Sequence, residues 1–189
     1  MALDAAVALL EEAGPERLTT RAVAQRIGYT VGSLYFVFRN RDDLVLRANE
    51  RTLDELRAAL DAALARCAGP DGRLLALGLA YLGFAQRHPT RWRLVFEHDV
   101  PDPDQVPAAM RGKIEAFFEL IAAELRRRFP GLDEPSTRGA AQSLWGGVHG
   151  IAVLAITDKL GAGGERPAAA LVADLITRYL AGLAGSGGP

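Results

Sequence analysis

Five arginines and no acidic residue lie between residues 17 and 41: Arg17, Arg21, Arg26, Arg39 and Arg41. A guanidinium group donates several hydrogen bonds to phosphate oxygens at once, so this segment suits a nucleic-acid backbone. The whole chain has 189 residues and a formal charge of −1, which excludes a basic coat over the entire surface. Any contact with DNA must therefore come from a local patch. The alternative is a solvated basic face on a small helical subdomain.

Three residues of N-cap type open predicted helices in or beside this segment. Thr19, Thr30 and Asn40 each precede a run with helical apolar spacing. Free backbone N–H groups and the helix dipole favour a phosphate at such an end. Each residue either caps its helix only or also contacts phosphate, because the two roles are compatible.

The third predicted helix follows Thr30 and has one side for a core and one for a groove. Leu34 and Phe38 are spaced to pack inside, and the Tyr35 hydroxyl at the flank contacts a phosphate unless its ring joins the core. No Arg, Lys, Asn or Gln precedes Arg39 on this helix, so the usual bidentate readers of guanine and adenine are missing. We expect contacts with thymine methyl groups and DNA shape to contribute selectivity. The candidate reading residues are Val31, Gly32, Ser33 and Phe36.

The segment LTTRAVAQRIGYTVGSLYFVFRNRDDL, residues 18–44, closely resembles the N-terminal signature of the TetR (tetracycline-repressor-like) family of transcriptional regulators. The resemblance covers residues 3–46 and implies a helix-turn-helix domain whose third helix enters the major groove. Together with the helix geometry, it assigns DNA contact to Thr19, Thr20, Arg21, Thr30, Val31, Gly32, Ser33, Tyr35, Phe36, Asn40 and Arg41.

Two short motifs in the rest of the chain resemble one class of C-terminal domain in this family, the Trp/His/Gly-motif class. They are HPTRWRLVFE at residues 88–97 and SLWGGVHGIA at residues 143–152. The resemblance implies an all-α sensing and dimerisation domain. We therefore expect a DNA-binding domain at 1–46, a ligand-binding and dimerisation domain at 47–184, and a disordered tail at 185–189.

The last two long predicted helices carry apolar stripes that suit a four-helix bundle across a two-fold axis. The alternative is an intramolecular core, and the resemblance favours the dimer. The residues assigned to the dimer interface are Leu144, Val148, Ile151, Ala155, Leu171, Leu175 and Tyr179.

An aromatic face with one polar group also occurs in this region, because Trp145 and His149 are one helical turn apart. His149 either helps to line a cavity for a small, mainly hydrophobic effector or is a hydrogen-bonded core histidine. The three histidines are far apart in sequence, so no metal site is expected, and no cofactor is predicted. The residues assigned to effector binding are Trp92, Phe96, Phe117, Ile121, Trp145 and His149.

Composition narrows the fold and function classes. Ala and Leu number 33 and 27, against 11 Val and 6 Ile, which favours an all-α chain. A single cysteine, Cys67, excludes a disulfide framework, and the absence of a signal peptide or a bilayer-length apolar run indicates a cytoplasmic protein without a membrane partner.

We expect a homodimeric, ligand-responsive regulator, a repressor, that binds a palindromic DNA operator through its third helix. The alternatives are a helical small-molecule-binding enzyme and an interaction protein that has lost DNA binding. No nucleophile–base pair, phosphate loop or metal set supports an enzyme.

Overall fold

The computed structural model describes residues 1–70, 72–98, 106–163 and 166–186. Within these ranges the secondary structure consists of α-helices and short 3-10 turns without strands, which confirms the predicted all-α fold. The α-helices are α1 (Ala2–Ala13), α2 (Thr20–Ile27), α3 (Val31–Tyr35), α4 (Arg41–Ala65), α5 (Arg73–Arg87), α6 (Pro89–Glu97), α7 (Ala108–Arg128), α8 (Glu134–Ile156) and α9 (Ala168–Ser186).

The chain forms two compact units. The first comprises Met1–Glu55 and the described residues of His88–Ile114, and the second comprises Leu56–Arg87 and the described residues from Glu115 onward. The sequence-based division after residue 46 differs from this one, because α6 and more of α4 belong to the first unit. The expected disordered tail also begins too early: Gly185 and Ser186 end α9, and residues 187–189 lie outside the described part of the chain.

Local capping fixes the helix-turn-helix segment of the first unit. The Thr19 hydroxyl accepts a hydrogen bond from the Ala22 N–H at 3.1 Å and so begins α2. Gly28 ends α2 in the left-handed region, with φ of 73°, a conformation that glycine adopts without strain. The Thr30 hydroxyl then accepts from the Ser33 N–H at 3.2 Å and begins α3. Two caps and one glycine thus account for the turn between α2 and α3.

A shared apolar core holds α1, α2, α3 and the start of α4 together. Leu34 and Phe38 are 2% and 1% exposed, so the side of α3 that was expected to face the core does so. The other buried members of this cluster are Ala6, Leu10, Leu18, Val23, Ala24, Leu44, Val45, Ala48 and Leu94.

Helix α6 joins this unit through ion pairs and a buried aromatic ring. The Arg91 guanidinium lies 2.9 Å from Glu11 of α1 and 2.5 Å from Glu55 of α4. Its neighbour Trp92 is 1% exposed and packs on the Phe96 ring at a centroid distance of 5.1 Å. The motif at residues 88–97 therefore helps to hold the first unit together.

In the second unit, α5, α8 and α9 pack on one another at close range. A Cβ atom at Gly78 would lie 2.5 Å from Ile176 Cδ1, and one at Gly147 would lie 2.5 Å from Leu175 Cδ2. Glycine at these two positions therefore lets α9 approach α5 and α8.

Two helices are long and apolar enough to cross a membrane by length and composition: Glu134–Ile156 and Ala168–Gly185. Within the most apolar 18-residue stretch of each helix, 28% and 11% of the residues are buried inside the subunit. Core helices of non-membrane proteins have the same length and composition, so these features do not distinguish the two cases. The expectation that no apolar run reaches bilayer length is not confirmed. In both helices, most residues of the apolar stretch are therefore not fully buried by the rest of the subunit.

Candidate nucleic-acid interface and effector cavity

The outer side of α3 combines a bare backbone with one projecting aromatic side chain. Phe36 is 94% exposed, and Tyr35 is 57% exposed. Gly32 is exposed, and the nearest atom to a Cβ built there is Thr30 Oγ1 at 3.8 Å, so packing within the subunit does not require glycine. The missing side chain instead leaves the α3 backbone open to close approach by another molecule.

Two residues in this helix and the turn after it are exposed differently from what the sequence-based assignment implies. Val31 is partly buried and packs against the core cluster, so less of it faces outward than expected, and its contact with thymine stays a prediction. Val37, which was not assigned, is 46% exposed, and Tyr29 before the helix is 53% exposed. Relative to Leu34 and Phe38, Val37 lies between the core-facing side and the outer side of the helix. Periodicity therefore did not assign it to either side.

The three N-cap residues are all engaged in capping. Besides Thr19 and Thr30, the Asn40 side-chain oxygen accepts from the Asp43 N–H at 2.8 Å. The Asp43 carboxylate accepts in return from the Arg39 N–H at 2.9 Å, which fixes the chain between α3 and α4. Phosphate contact by these caps, and by Thr20 beside them, stays a prediction.

The arginines of residues 17–41 do not have equal freedom to bind phosphate. Arg26 forms two 2.6 Å hydrogen bonds with Glu12, and Arg41 donates to the carbonyl oxygens of Leu18 at 3.2 Å and Pro15 at 3.0 Å. Arg41 therefore ties the start of α4 to the turn before α2. Arg21 is exposed and has no ion pair among the described residues, which makes it the best-placed cation on α2.

Replacing Arg21 by alanine is expected to weaken duplex binding and to flatten its salt dependence by about 0.9 unit of log–log slope for each bound subunit, because each subunit loses one phosphate contact. Titrations of a labelled duplex at several salt concentrations measure both quantities. Arg26→Ala is the matched control on the same helix and should change the slope less, since Glu12 already neutralises that side chain. Equal slopes for Arg21→Ala and the unchanged protein would remove Arg21 from the interface.

The second unit contains an apolar cavity of about 40 Å³. This volume holds roughly three water molecules, at about 10–15 Å³ each, and is far below the roughly 300–1,000 Å³ of a typical ligand pocket. No charged residue lines it among those described, and the lining residues are Leu60, Leu74, Leu77, Gly78, Tyr81, Phe117, Ile121, Leu144, Trp145, Val148 and Ile176.

A tyrosine and a histidine form the polar part of this region. Tyr81 lines the cavity, and its hydroxyl lies 2.8 Å from Nδ1 of His149, with which it shares a hydrogen bond. Burial lowers the pKa of His149 below the ordinary value of 6.5, so the ring is neutral near pH 7. His149 does not line the cavity itself. Its ring contacts Tyr81 and Trp145, and both of these residues line the cavity. Sequence reasoning assigned no role to Tyr81, because its partner His149 is 68 residues away in the chain.

The residues that were assigned to effector binding separate into two groups. Phe117, Ile121 and Trp145 line the cavity of the second unit. Trp92 and Phe96 belong to the first unit and do not line this cavity, so the structure does not bring them together with the other three residues. Their contact with an effector stays a prediction.

The residues that were assigned to the dimer interface also divide. Leu144 and Val148 are 4% and 5% exposed and line the cavity, so they are not available to a partner. Leu175 covers Gly147 within the subunit and is partly buried. The other assigned residues are partly buried as well: Ile151, Ala155, Leu171 and Tyr179.

No three His, Cys, Asp or Glu side chains lie close enough to hold a metal ion within the described ranges. Two of the histidines lie beside carboxylates: His88 lies 2.7 Å from Glu11, and His98 lies 3.7 Å from Asp42.

A helix-turn-helix with an exposed third helix, followed by a helical unit around an apolar cavity, defines a class of DNA-binding transcriptional regulators. Residues 2–48 match the model of the tetR family of bacterial regulatory proteins, and residues 74–179 match the tetracyclin repressor-like C-terminal domain. The chain belongs to the TetR family.

Named relatives and solved structures agree with this assignment. An uncharacterized HTH-type transcriptional regulator of Mycobacterium tuberculosis is 26% identical over 96% of this chain and 79% of its own length. A nucleoid occlusion factor, SlmA of Edwardsiella ictaluri, is 29% identical over 75% of each chain. The TetR family regulator PfmR of Thermus thermophilus has a TM-score of 0.66 at 20% identity, with 94% of this chain and 97% of that one covered.

Proposed function

We propose that this chain is a homodimeric, ligand-responsive repressor that acts in the cytoplasm and binds a palindromic operator through α3 of each subunit. The observation that carries the proposal is the outer side of α3, where Phe36 is 94% exposed beside the open backbone of Gly32. Tyr35, Phe36 and Val37 are consecutive and all exposed, and a contiguous apolar surface of this kind is typical of an interaction site. A helix-turn-helix domain of this kind places its third helix in the major groove of DNA.

The exposed sides of α8 and α9 support the homodimer. On α8, Gly139, Gly146, Gly150 and Val153 are exposed and lie within one helical face, with Leu154 at its edge. A Cβ atom at any of the three glycines would have no neighbour within 4 Å, so the subunit itself does not require them. Small residues allow a second helix to approach closely.

Helix α9 has a comparable face. Thr177, Ala181 and Ala184 are exposed, and the face opposite them carries Val172 and Ile176, which are buried. Pairing α8 and α9 with their copies across a two-fold axis would cover both apolar faces and form a four-helix bundle. This arrangement also explains their membrane-like composition without a bilayer. The ion pair between Asp174 and Arg178 of α9, at 2.8 Å, favours that explanation further, because charged side chains at the bilayer centre are costly.

The cavity supports a small, neutral and mainly apolar effector. Its lining has no charged side chain in the described part of the chain, and Tyr81 offers one hydroxyl for orientation. Because the cavity of about 40 Å³ is too small for such a molecule, the effector must bind a more open state. A ligand that prefers the open state shifts the population of the dimer and can thereby change the spacing of the two α3 helices.

Replacing Tyr81 by phenylalanine is expected to weaken effector binding by roughly two- to twelvefold, the usual cost of one neutral hydrogen bond, while operator affinity stays near that of the unchanged protein. The effector is the first compound from an apolar small-molecule library that releases the operator duplex. His149→Phe should give a similar loss, because Nδ1 of His149 orients the hydroxyl. Tyr179→Phe on α9 is the matched control. Unchanged effector binding in Tyr81→Phe would mean that the cavity is not the effector site.

Selection of bound sequences from a random duplex library tests the proposed function directly. We expect an enriched palindrome whose half-sites lie about 34–36 Å apart, one helical turn, because two copies of α3 must reach successive major grooves. The protein should repress a reporter gene placed behind that palindrome, and the effector should relieve the repression. Failure to enrich any duplex would favour an interaction protein, and turnover of a cavity ligand would favour an enzyme.

A further inference from the structure

The groove-facing side of α3 has almost no free hydrogen-bonding group. The Ser33 hydroxyl lies 2.9 Å from the Thr30 hydroxyl and shares a hydrogen bond with it, while Thr30 also caps the helix. Gly32 has no side chain. Phe36 follows Gly32 by one helical turn, so the two lie on the same side, and its ring is 94% exposed. The ring is therefore the principal group that this side of α3 can present to a base edge.

The flanks supply no bidentate reader of base edges either. Residues 31–38 contain no Arg, Lys, Asn, Gln, Asp or Glu, which are the side chains that form bidentate or acceptor contacts with bases. The next candidate, Arg39, lies beyond the end of α3, in the segment before α4, and its guanidinium is 3.8 Å from the buried Asp43 carboxylate. Apolar contact is what remains, and the 5-methyl group of a pyrimidine is the apolar feature of the major groove.

We propose that Phe36 reads the 5-methyl groups of pyrimidines, so that this protein recognises thymine and 5-methylcytosine alike. The inference rests on the proposed operator binding and names the chemical feature that is read. Because the methyl group projects from C5 in both bases, an apolar ring responds to it whichever hydrogen-bonding groups lie beside it. Val37, 46% exposed and next in the chain, is the second apolar group available to the same groove. Cytosine methylation inside a half-site is then a signal that this protein detects.

The experiment uses the full-length protein and the duplex enriched from the random library. Each thymine is replaced in turn by deoxyuridine, which lacks only the methyl group. At one symmetric pair of positions we expect a loss of about fourfold per half-site, or roughly fifteenfold for both, since that is the usual contribution of one buried methyl-sized group. At the same pair, 5-methylcytosine opposite guanine should bind about fourfold per half-site more tightly than cytosine.

Phe36→Ala should remove both methyl effects, so that the ratios of thymine to uridine and of methylcytosine to cytosine fall to one. Ile114→Ala is the matched control, because Ile114 is an apolar residue, 38% exposed, in the same compact unit. The readout is a ratio for one protein preparation, so partial unfolding of a variant does not imitate it.

The possible failures are distinguishable. Uridine that binds as well as thymine at every position overturns methyl reading, and methyl effects that persist in Phe36→Ala overturn the role of Phe36. Both results leave operator binding itself intact. A library that enriches no duplex contradicts the proposed function and this inference together.

Discussion

Replacing Gly150 by arginine is expected to convert the dimer into a monomer and to lower operator affinity by about 100-fold or more, because two linked half-site contacts bind far more tightly than one. Gly150 is exposed on α8, and no atom lies within 4 Å of a Cβ built there. Arginine is also a better helix former than glycine by roughly 0.8–1 kcal/mol, so the subunit should not lose stability from the substitution itself. Light scattering coupled to gel filtration measures the mass, and duplex titration measures the affinity.

Gly112→Arg on α7 is the matched control for this experiment. Gly112 is an exposed helical glycine, and a Cβ atom there also has no neighbour within 4 Å. The same change of size, charge and helix propensity should therefore leave the mass near twice 20.2 kDa and the affinity unchanged. If Gly150→Arg remained a dimer with full operator affinity, the subunits would associate through a face other than that of Gly139, Gly146 and Gly150.

Sequence periodicity and the structure both lead to α8 and α9 as the proposed interface helices, but they favour different sides of α8. The most apolar stripe contains Leu144 and Val148, and both are buried in the subunit. The uncovered side contains glycines, which carry no hydrophobic signal in a sequence although they permit close helix contact. A stripe of large apolar residues predicts that this side of the helix is buried. It does not indicate whether the same chain or a second copy of the chain covers it.

The local structure was easier to predict because its causes are local. Thr19 and Thr30 cap their helices, Gly28 ends α2 with positive φ, and Leu34 faces the core, as their residue types and spacing indicate. Which elements share a unit depends on long-range packing. The sequence could not reveal that α6 joins the first unit, or that Tyr81 of α5 meets His149 of α8 at 2.8 Å across 68 residues.

Two aromatic residues that the sequence associated with binding lead to opposite expectations for stability. Trp92 is 1% exposed in the first unit, so Trp92→Ala should lower the free energy of unfolding by about 3–5 kcal/mol through lost burial and the cavity that is left. For a domain of this size that corresponds to a fall in melting temperature of roughly 6–20 °C. Phe36 is 94% exposed, and Phe36→Ala should change the free energy of unfolding by less than about 0.5 kcal/mol.

Thermal unfolding of both variants, followed by circular dichroism at equal protein concentration, measures this difference. Equal concentration is necessary because dissociation of a dimer also shifts its melting temperature. A Trp92→Ala protein with unchanged stability and a lost effector response would restore Trp92 to the effector site and contradict its place in the core. A Phe36→Ala protein that unfolds early would mean that the ring is needed for folding, and its exposure would no longer indicate DNA contact. We expect Trp92→Ala to lower the free energy of unfolding strongly and Phe36→Ala to leave it unchanged. That pair of results would assign the Trp92 ring to the core of the first unit and leave the Phe36 ring available to bind.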